Sequence, residues 1–174
     1  MIRRIHGWDV RVFLRLNQQL IQSRLPAVAH RVSHTADGWF YLLAPAICLL
    51  IKPELVQILF PQLALAFAAE RAGYLAMKKG FKRRRPPKAI PGYSSRIIAS
   101  DEFSFPSGHT SGAFLFATSC ALVFGPFAAL LFIWAAAVGA SRVILGVHFP
   151  TDIFMGALMG SSIALFTASQ TGLL

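Results

Sequence analysis

The chain has 174 residues, of which 55% are hydrophobic and 14% are charged, and its net charge is +10. This composition excludes an ordinary water-soluble domain of the same length and is typical of a polytopic membrane protein. A nucleic-acid binder would also be basic. In so apolar a chain, however, the positive charge indicates anionic lipid headgroups or a phosphorylated substrate, and we expect no nucleic-acid partner.

The N-terminal region, residues 1–35, is predicted to form an amphipathic helix. Within residues 8–25, apolar side chains recur at roughly helical spacing, but Arg11 and Arg15 are among the polar residues that interrupt them. Because uncompensated polar groups in mid-span are costly in hydrocarbon, we expect this segment to lie in the membrane interface. The first turns also lack an apolar h-region, so no cleavable signal peptide is predicted.

Five apolar segments follow and predict membrane helices. The first is short for a span, because Lys52 and Pro53 end it. In the last, Gly156 and Gly160 have the spacing that allows close helix packing. We therefore expect an all-α integral membrane protein: one domain, a bundle of five or six transmembrane helices with an N-terminal amphipathic helix. The segments cover residues 38–51, 55–77, 110–125, 127–145 and 153–174.

A basic hydrophilic loop, residues 78–105, separates the second and third apolar segments and carries the first of three motifs. Lys78 and Arg85 are separated by six residues, and Pro86 follows directly. The other basic residues of the loop are interpreted as facing lipid headgroups. They are Lys79, Lys82, Arg83, Arg84, Lys88 and Arg96.

The second motif, Pro106-Ser107-Gly108-His109, lies at the start of the third apolar segment. Proline is favoured in the first turn of a helix, where the backbone N–H groups have no intrahelical partner and the helix dipole attracts negative charge. The motif therefore predicts a helix start that binds an anion.

The third motif runs from Ser141 to Asp152. Arg142 ends one apolar segment, His148 lies just before Pro150, and Asp152 falls in the first turn of the next helix. Ionisable groups beside membrane helices are costly unless they are buried in protein or water, so a functional role is the default interpretation.

The alternation of the helices places the three motifs on one side of the membrane. The chain leaves the second apolar segment near Lys78, re-enters at Pro106, turns near Gly125 and emerges again at Arg142. We therefore expect one pocket to contain Lys78, Arg85, Ser107, Gly108, His109, Arg142, His148 and Asp152.

In order and spacing, the motifs resemble the type 2 phosphatidic acid phosphatase family of membrane lipid phosphatases, which shares its catalytic core with vanadium haloperoxidases. The family pattern is Lys, six residues, Arg-Pro; then Pro-Ser-Gly-His; then Ser-Arg, five residues, His, three residues, Asp. This chain matches every fixed position, within roughly residues 70–160. The resemblance implies hydrolysis of a lipid phosphate or diphosphate. The chain departs from the family in being short, with the usual six spans not evident.

Phosphoryl transfer needs a nucleophile, an acid for the leaving group and positive charge around the phosphate oxygens. We expect His148 to be the nucleophile and to form a phosphohistidine, with Asp152 orienting its ring. His109 would protonate the leaving group and then activate water. The phosphate-binding residues are expected to be Lys78, Arg85, Ser107, Gly108 and Arg142.

No cofactor and no metal are expected, because three cations take the place of the metal that many phosphatases use and no carboxylate cluster remains to bind one. Cys48 and Cys120 both lie inside apolar runs and are interpreted as packed core residues.

Three functions remain open from the sequence. The first is a lipid phosphatase that acts on undecaprenyl diphosphate, phosphatidylglycerol phosphate or phosphatidic acid. The second is a lipid phosphotransferase that uses the same phosphohistidine. The third is a non-catalytic lipid-binding or transport protein, against which the complete set of His109, His148 and Asp152 argues. The oligomeric state is open as well.

The expected location is the bacterial plasma (inner) membrane, as a multi-pass protein, and two arguments conflict over the side that the pocket faces. If the chain has five spans, the pocket's side of the membrane holds six Arg of residues 1–37 and eight Lys and Arg of residues 78–105. The opposite side holds only Lys52. The positive-inside rule then favours the cytoplasm. The family resemblance implies the outer face. We expect an outward pocket, because the motifs are more specific than a charge count that phosphate binding inflates.

Overall fold

The computed structural model describes residues 2–19 and 24–174, so residues 20–23 of the predicted N-terminal segment lie outside the described part. The described residues form eight α-helices and no β-strand, which confirms the predicted all-α fold. The predicted N-terminal region contains two helices in its described part. The helices are α1 (Ile2–Gln19), α2 (Leu25–His34), α3 (Leu43–Ile51), α4 (Pro53–Phe81), α5 (Pro86–Ala89), α6 (Gly108–Phe124), α7 (Leu130–Ile144) and α8 (Pro150–Gln170).

Three helical stretches are long and apolar enough to cross a membrane: Pro53–Phe81, Gly108–Ile144 and Pro150–Gln170. A fourth span is available if α2 and the stretch Trp39–Ile51, which are bent by 49° relative to each other, form one broken span. α1 is not among these stretches. The apolar stretches together make the chain an integral membrane protein.

The longest of these stretches is a hairpin of α6 and α7. Gly125 ends α6 with a φ of +69°, and Pro126 follows it. Thr110 near the start of α6 lies beside Gly139 near the end of α7, because a Cβ on Gly139 would be 3.3 Å from Thr110 Cγ2. The two helices are therefore antiparallel. Three spans, or four with the bent pair, are thus identified by length and composition among the described residues, and the count of five or six stays a prediction.

α6 and α8 are held together by two glycines of α8. A Cβ on Gly156 would lie 2.6 Å from the carbonyl oxygen of Ser107, and a Cβ on Gly160 would lie 2.1 Å from that of Ser111. Only glycine allows two backbones to approach this closely. The contact fixes the start of α6, which carries the second motif, against α8.

α1 carries one buried face. Asp9 and Phe13 are fully buried and Asn17 nearly so, and their spacing of four residues places them on one side of the helix. Asn17 Nδ2 donates to the carbonyl oxygen of Val143 at 3.1 Å. Phe13 packs edge-on against Phe149, with 5.5 Å between ring centroids. α1 is thus docked on the end of α7 and the start of α8.

Substitution of Gly160 by Ala should destabilise the protein. The added methyl would collide with the backbone of α6 at Ser111, which cannot rotate away as a side chain would. Overpacking of this kind costs about 1–3 kcal/mol. The expected result is a lower melting temperature of the detergent-solubilised protein, measured by thermal unfolding.

Gly73→Ala is the matched control, since Gly73 faces α8 as well but a Cβ there would meet only Ile163 Cδ1 at an ordinary 3.9 Å. A melting temperature of Gly160→Ala equal to that of Gly73→Ala would contradict the packing argument.

Candidate active site

A cavity of about 660 Å³ opens between α4, the start of α6, the end of α7 and the segment 100–103. Six of the eight residues predicted from the motifs line it. Ser107 and Asp152 do not, and both are fully buried behind its wall. The six are Lys78, Arg85, Gly108, His109, Arg142 and His148.

The start of α6 presents Gly108 and His109 to the cavity. Ser107 is the N-cap of this helix: its Oγ lies 3.5 Å from the amide nitrogen of Thr110 and 2.9 Å from Thr110 Oγ1. Gly108 lies against Tyr74, whose ring would be 2.8 Å from a Cβ at this position. First-turn amides have no intrahelical partner, so an anion-binding helix start faces the cavity. The hydroxyl of Ser107 is used by the helix itself.

The connection between α7 and α8 places the second histidine. Gly146 has a φ of +82°, a conformation that glycine adopts without strain. His148 follows this turn, and Pro150 begins α8 two residues later. Asp152 lies in the first turn, where its Oδ2 accepts a hydrogen bond from the amide of Phe149 at 2.8 Å. The same carboxylate therefore faces the ring of His148.

His148 is held in one tautomer by its neighbours. Arg85 Nη1 lies 3.2 Å from His148 Nε2, and because a guanidinium can only donate, Nε2 must accept with its lone pair. The proton is then on Nδ1, which is 3.6 Å from Asp152 Oδ2, longer than a hydrogen bond. Burial lowers the pKa of His148 to about 4 although the Asp152 carboxylate opposes the shift, and the charge of Arg85 lowers it further. The imidazole is therefore neutral at pH 7.

The other side of the cavity contains Arg142 and His109. Arg142 Nη1 donates to Ser33 Oγ at 2.6 Å, while its buried Nε has no hydrogen-bond partner among the described residues. His109 Nε2 donates to Asp37 Oδ1 at 2.9 Å. Asp37 also accepts a hydrogen bond from His34 Nδ1 at 2.6 Å. Each active-site histidine thus has a carboxylate beside it.

The carboxylate of Asp101 occupies the cationic end of the cavity. Lys78 Nζ donates to Asp101 Oδ1 at 2.9 Å, Arg85 Nη2 donates to the same oxygen, and the Tyr74 hydroxyl donates to Oδ2. Burial would raise the pKa of Asp101, but the hydrogen bonds from Tyr74 and Lys78 and the charge of Arg85 lower it well below its usual range. The ionised carboxylate of Asp101 therefore accepts hydrogen bonds from Lys78 and Arg85, which were predicted to bind phosphate.

Arg83 of the 78–105 loop does not face lipid headgroups, so that interpretation is wrong for this residue, and Arg96 is exposed but also bonded to the protein. Arg83 donates to the buried carboxylates of Asp9 and Asp152. Arg96 Nη1 donates to Asn17 Oδ1 at 2.7 Å and also to a backbone carbonyl of α7. The loop is thus attached to the protein by its own cations.

Sequence reasoning also missed the roles of Asp9, Asp37 and Asp101. The chain has only seven acidic residues, and acids are rare in apolar membrane domains unless they have a partner. Each was therefore recognisable as unusual. The partners of these three acids could not be recognised, because each contact joins parts of the chain that are far apart in sequence.

Comparison with known proteins gives a consistent picture. Residues 60–173 match the PAP2 superfamily. The chain is 27% identical to decaprenylphosphoryl-5-phosphoribose phosphatase of Mycobacterium tuberculosis, over 99% of this chain and 96% of that protein. Among solved structures it is similar to LpxE of Aquifex aeolicus, with a TM-score of 0.74 and 26% identity over 92% of this chain and 94% of that one.

A second solved structure, a PAP2-type phosphatidylglycerolphosphate phosphatase from Bacillus subtilis, has a TM-score of 0.54 and 20% identity, with 95% of each chain covered. At this identity the likeness shows the fold alone.

Substitution of Asp101 by Asn should strengthen inhibition by vanadate. The carboxylate competes with an oxyanion for Lys78, Arg85 and Tyr74, whereas a neutral amide competes less and does not repel the anion. Removing a partly exposed charge contact of about 1 kcal/mol lowers the inhibition constant roughly three- to tenfold. The measurement is a vanadate titration of phosphate release.

Glu54→Gln is the control, because Glu54 is an exposed acid at the start of α4 that does not line the cavity. A vanadate inhibition constant that is unchanged or higher in Asp101→Asn would show that Asp101 holds the cations in place and does not compete with the anion.

Proposed function

The chain belongs to the PAP2 superfamily and is a membrane lipid phosphatase, and we propose that His148 carries the phosphoryl group during its reaction. The substrate is a phosphate monoester or diphosphate at the head of a lipid. The observation that carries the proposal is the state of His148: a buried, neutral imidazole whose Nε2 lone pair faces Arg85 beside the cavity.

In the first step, Arg85 Nη1 releases the lone pair of His148 Nε2 and turns to a phosphate oxygen, and Nε2 attacks phosphorus opposite the leaving oxygen. The N–P bond forms while the P–O bond breaks, and the electron pair of the broken bond goes to the oxygen, which takes a proton from His109. The ring of His148 becomes cationic. Asp152 stabilises that charge through the proton on Nδ1, and the 3.6 Å separation closes to hydrogen-bond length as the charge develops.

In the second step, a water molecule attacks the phosphohistidine. His109, now neutral, accepts a proton from the water, the N–P bond breaks, and its electron pair returns to Nε2. Inorganic phosphate leaves and the neutral His148 is restored. Asp37 supports both steps, because its hydrogen bond to Nε2 of His109 leaves Nδ1 of that ring for the transferred proton.

Three cations stabilise the charge on the equatorial phosphate oxygens. Lys78 and Arg85 exchange the Asp101 carboxylate for the phosphate, and Nε of Arg142, which has no partner in the described part of the chain, supplies a further donor. The first-turn amide of Gly108 completes the cradle, while Ser107 supports it by capping α6. Among the described residues no three His, Cys, Asp or Glu side chains form a group that could hold a metal ion, and the proposed reaction uses none.

The substrate is proposed to carry polar groups next to the phosphate. Beyond the cradle, the cavity is lined by Tyr41, Glu70 and Arg71, which favour a headgroup larger than phosphate. A substrate panel tests this: undecaprenyl diphosphate, phosphatidylglycerol phosphate, phosphatidic acid and a polyprenyl phosphate sugar, the last suggested by the name of the Mycobacterium relative. Release of inorganic phosphate without a lipid acceptor separates hydrolysis from phosphotransfer.

The pocket is proposed to face outward from the plasma membrane. Its support is that phosphate binding accounts for Lys78 and Arg85, so the motifs weigh more than the count of basic residues on the pocket's side, which by itself favours the cytoplasm. The outward orientation suits a lipid diphosphate released during wall synthesis, one of the substrates expected from the sequence.

Substitution of His148 by Ala should abolish turnover and the covalent intermediate together. We expect kcat to fall by at least about 10⁴-fold, and acid quenching with ³²P-labelled substrate to label the wild type on histidine but not the variant. His109→Ala with a good leaving group should accumulate the label, because only the hydrolytic step then needs the missing base.

His30→Ala, which changes an exposed histidine outside the proposed machinery, is the control and should label normally. Substantial lipid phosphatase activity in His148→Ala would end the phosphohistidine proposal.

The orientation is tested by cysteine labelling of a Ser94→Cys variant in a Cys48→Ala, Cys120→Ala background. Ser94 is exposed in the 78–105 loop, and both native cysteines are buried. We expect an impermeant maleimide to label intact cells. Labelling only after permeabilisation would place the pocket in the cytoplasm.

A further inference from the structure

Arg83 lies behind the active site and does not line its cavity. Its side chain is 20% exposed. Nη1 donates to Asp152 Oδ1 and to Thr151 Oγ1, both at 2.7 Å, and Nη2 donates to Asp9 Oδ2 at 2.6 Å. The guanidinium also stacks on Phe149, 4.5 Å from the ring centroid. One side chain therefore joins α1, the loop after α4 and the start of α8.

Asp9 fixes this arrangement from the side of α1. It is fully buried, its Oδ1 accepts from the backbone amide of Thr151 at 3.1 Å, and its Oδ2 accepts from the Thr151 hydroxyl. A carboxylate at the first turn of a helix is favoured by the free amides and by the dipole. Asp9 thus caps α8 from a helix more than 100 residues away in sequence.

The contacts define the orientation of the Asp152 carboxylate. Oδ1 is bound by Arg83, while Oδ2 accepts from the amide of Phe149 and faces His148 Nδ1. With Arg83 absent, Oδ1 would lose its charged donor, and two buried carboxylates would remain without a cation between them. The carboxylate could then rotate or take up a proton, and either change would remove the acceptor that His148 needs.

We propose that Arg83 and Asp9 are positioning residues for the His148–Asp152 pair, which makes docking of α1 part of the catalytic apparatus. The inference rests on the proposed function, in which Asp152 orients the nucleophile. Neither residue touches the phosphate. Their loss therefore lowers kcat and leaves KM for the lipid phosphate nearly unchanged.

Arg83→Ala should lower kcat about 10–100-fold, the range found for residues that orient a histidine ligand or base. Arg84→Ala is the matched control, since Arg84 is the adjacent exposed arginine and its removal changes the net charge equally. Arg83→Lys keeps the charge but cannot reach Asp9, Thr151 and Asp152 together. It should lower kcat with an unchanged melting temperature, and it carries the test if Arg83→Ala does not fold.

Asp9→Asn tests the contact from α1, because the amide retains the shape of the side chain and loses its charge. We expect kcat to fall about tenfold. Glu54→Gln, an exposed acid at the start of α4, is the control and should retain full activity.

The decisive measurement is the double variant with Asp152→Asn. If Arg83 acts through Asp152, adding Arg83→Ala to Asp152→Asn should change kcat less than about threefold, because the interaction is already lost. Two results would overturn the inference. In one, Arg83→Ala lowers kcat by the same factor with and without Asp152→Asn. In the other, Arg83→Ala and Arg84→Ala have the same kcat. An Asp152→Asn enzyme with full kcat would instead refute the proposed function, so the two failures are distinguishable.

Discussion

Buried positive charge is the constraint on which the site depends. Lys78, Arg85 and Arg142 are each at least 93% buried at the end of an apolar bundle, where an uncompensated cation costs several kcal/mol. Asp101 balances part of this charge, while Nη1 of Arg142 donates to a neutral group, the hydroxyl of Ser33. An incoming phosphate provides negative charge that the fold itself does not supply in full. The same burial keeps His148 neutral, so that one electrostatic environment both attracts the substrate and prepares the nucleophile.

Backbone contacts hold these charges in place. The two glycines of α8 bring it against the start of α6, so the helix end that carries Gly108 and His109 is fixed relative to the one that carries Asp152. A side-chain interface would leave room for repacking, whereas contact between backbones does not. Catalytic groups on different helices need this rigidity, because small errors in position are costly in phosphoryl transfer.

Both histidines are supported by carboxylates that come from breaks between helices. Asp152 follows the α7–α8 turn, and Asp37 lies in the bend after α2, next to Gly38 with its φ of +102°. The bend interrupts the helix before the first apolar segment, and it places the carboxylate of Asp37 beside His109. Irregular backbone between membrane helices is tolerated where it lines a polar cavity, and Asp37 and Gly38 both line this one.

The sequence by itself determined the fold class and the residues of the three motifs that meet at the cavity. Composition and five apolar segments predicted an all-α membrane protein, and the ordered motifs identified six residues that the structure brings to one cavity. These inferences succeeded because helix periodicity, proline at helix starts and motif spacing are local properties of the chain.

Tertiary structure alone decided that Asp37 and Asp101 accompany those residues and that Arg83 leaves the surface. Arg83 and Arg84 are neighbours in one basic run, yet Arg83 is bonded to Asp9 and Asp152 while Arg84 is exposed. Nothing local distinguishes them, because the difference comes from α1 docking on α8 across most of the chain. The position of Asp101 among the phosphate-binding cations depends in the same way on how the loop folds back over α4. Long-range pairing of charges is set by the packing of the whole bundle, and local pattern does not encode it.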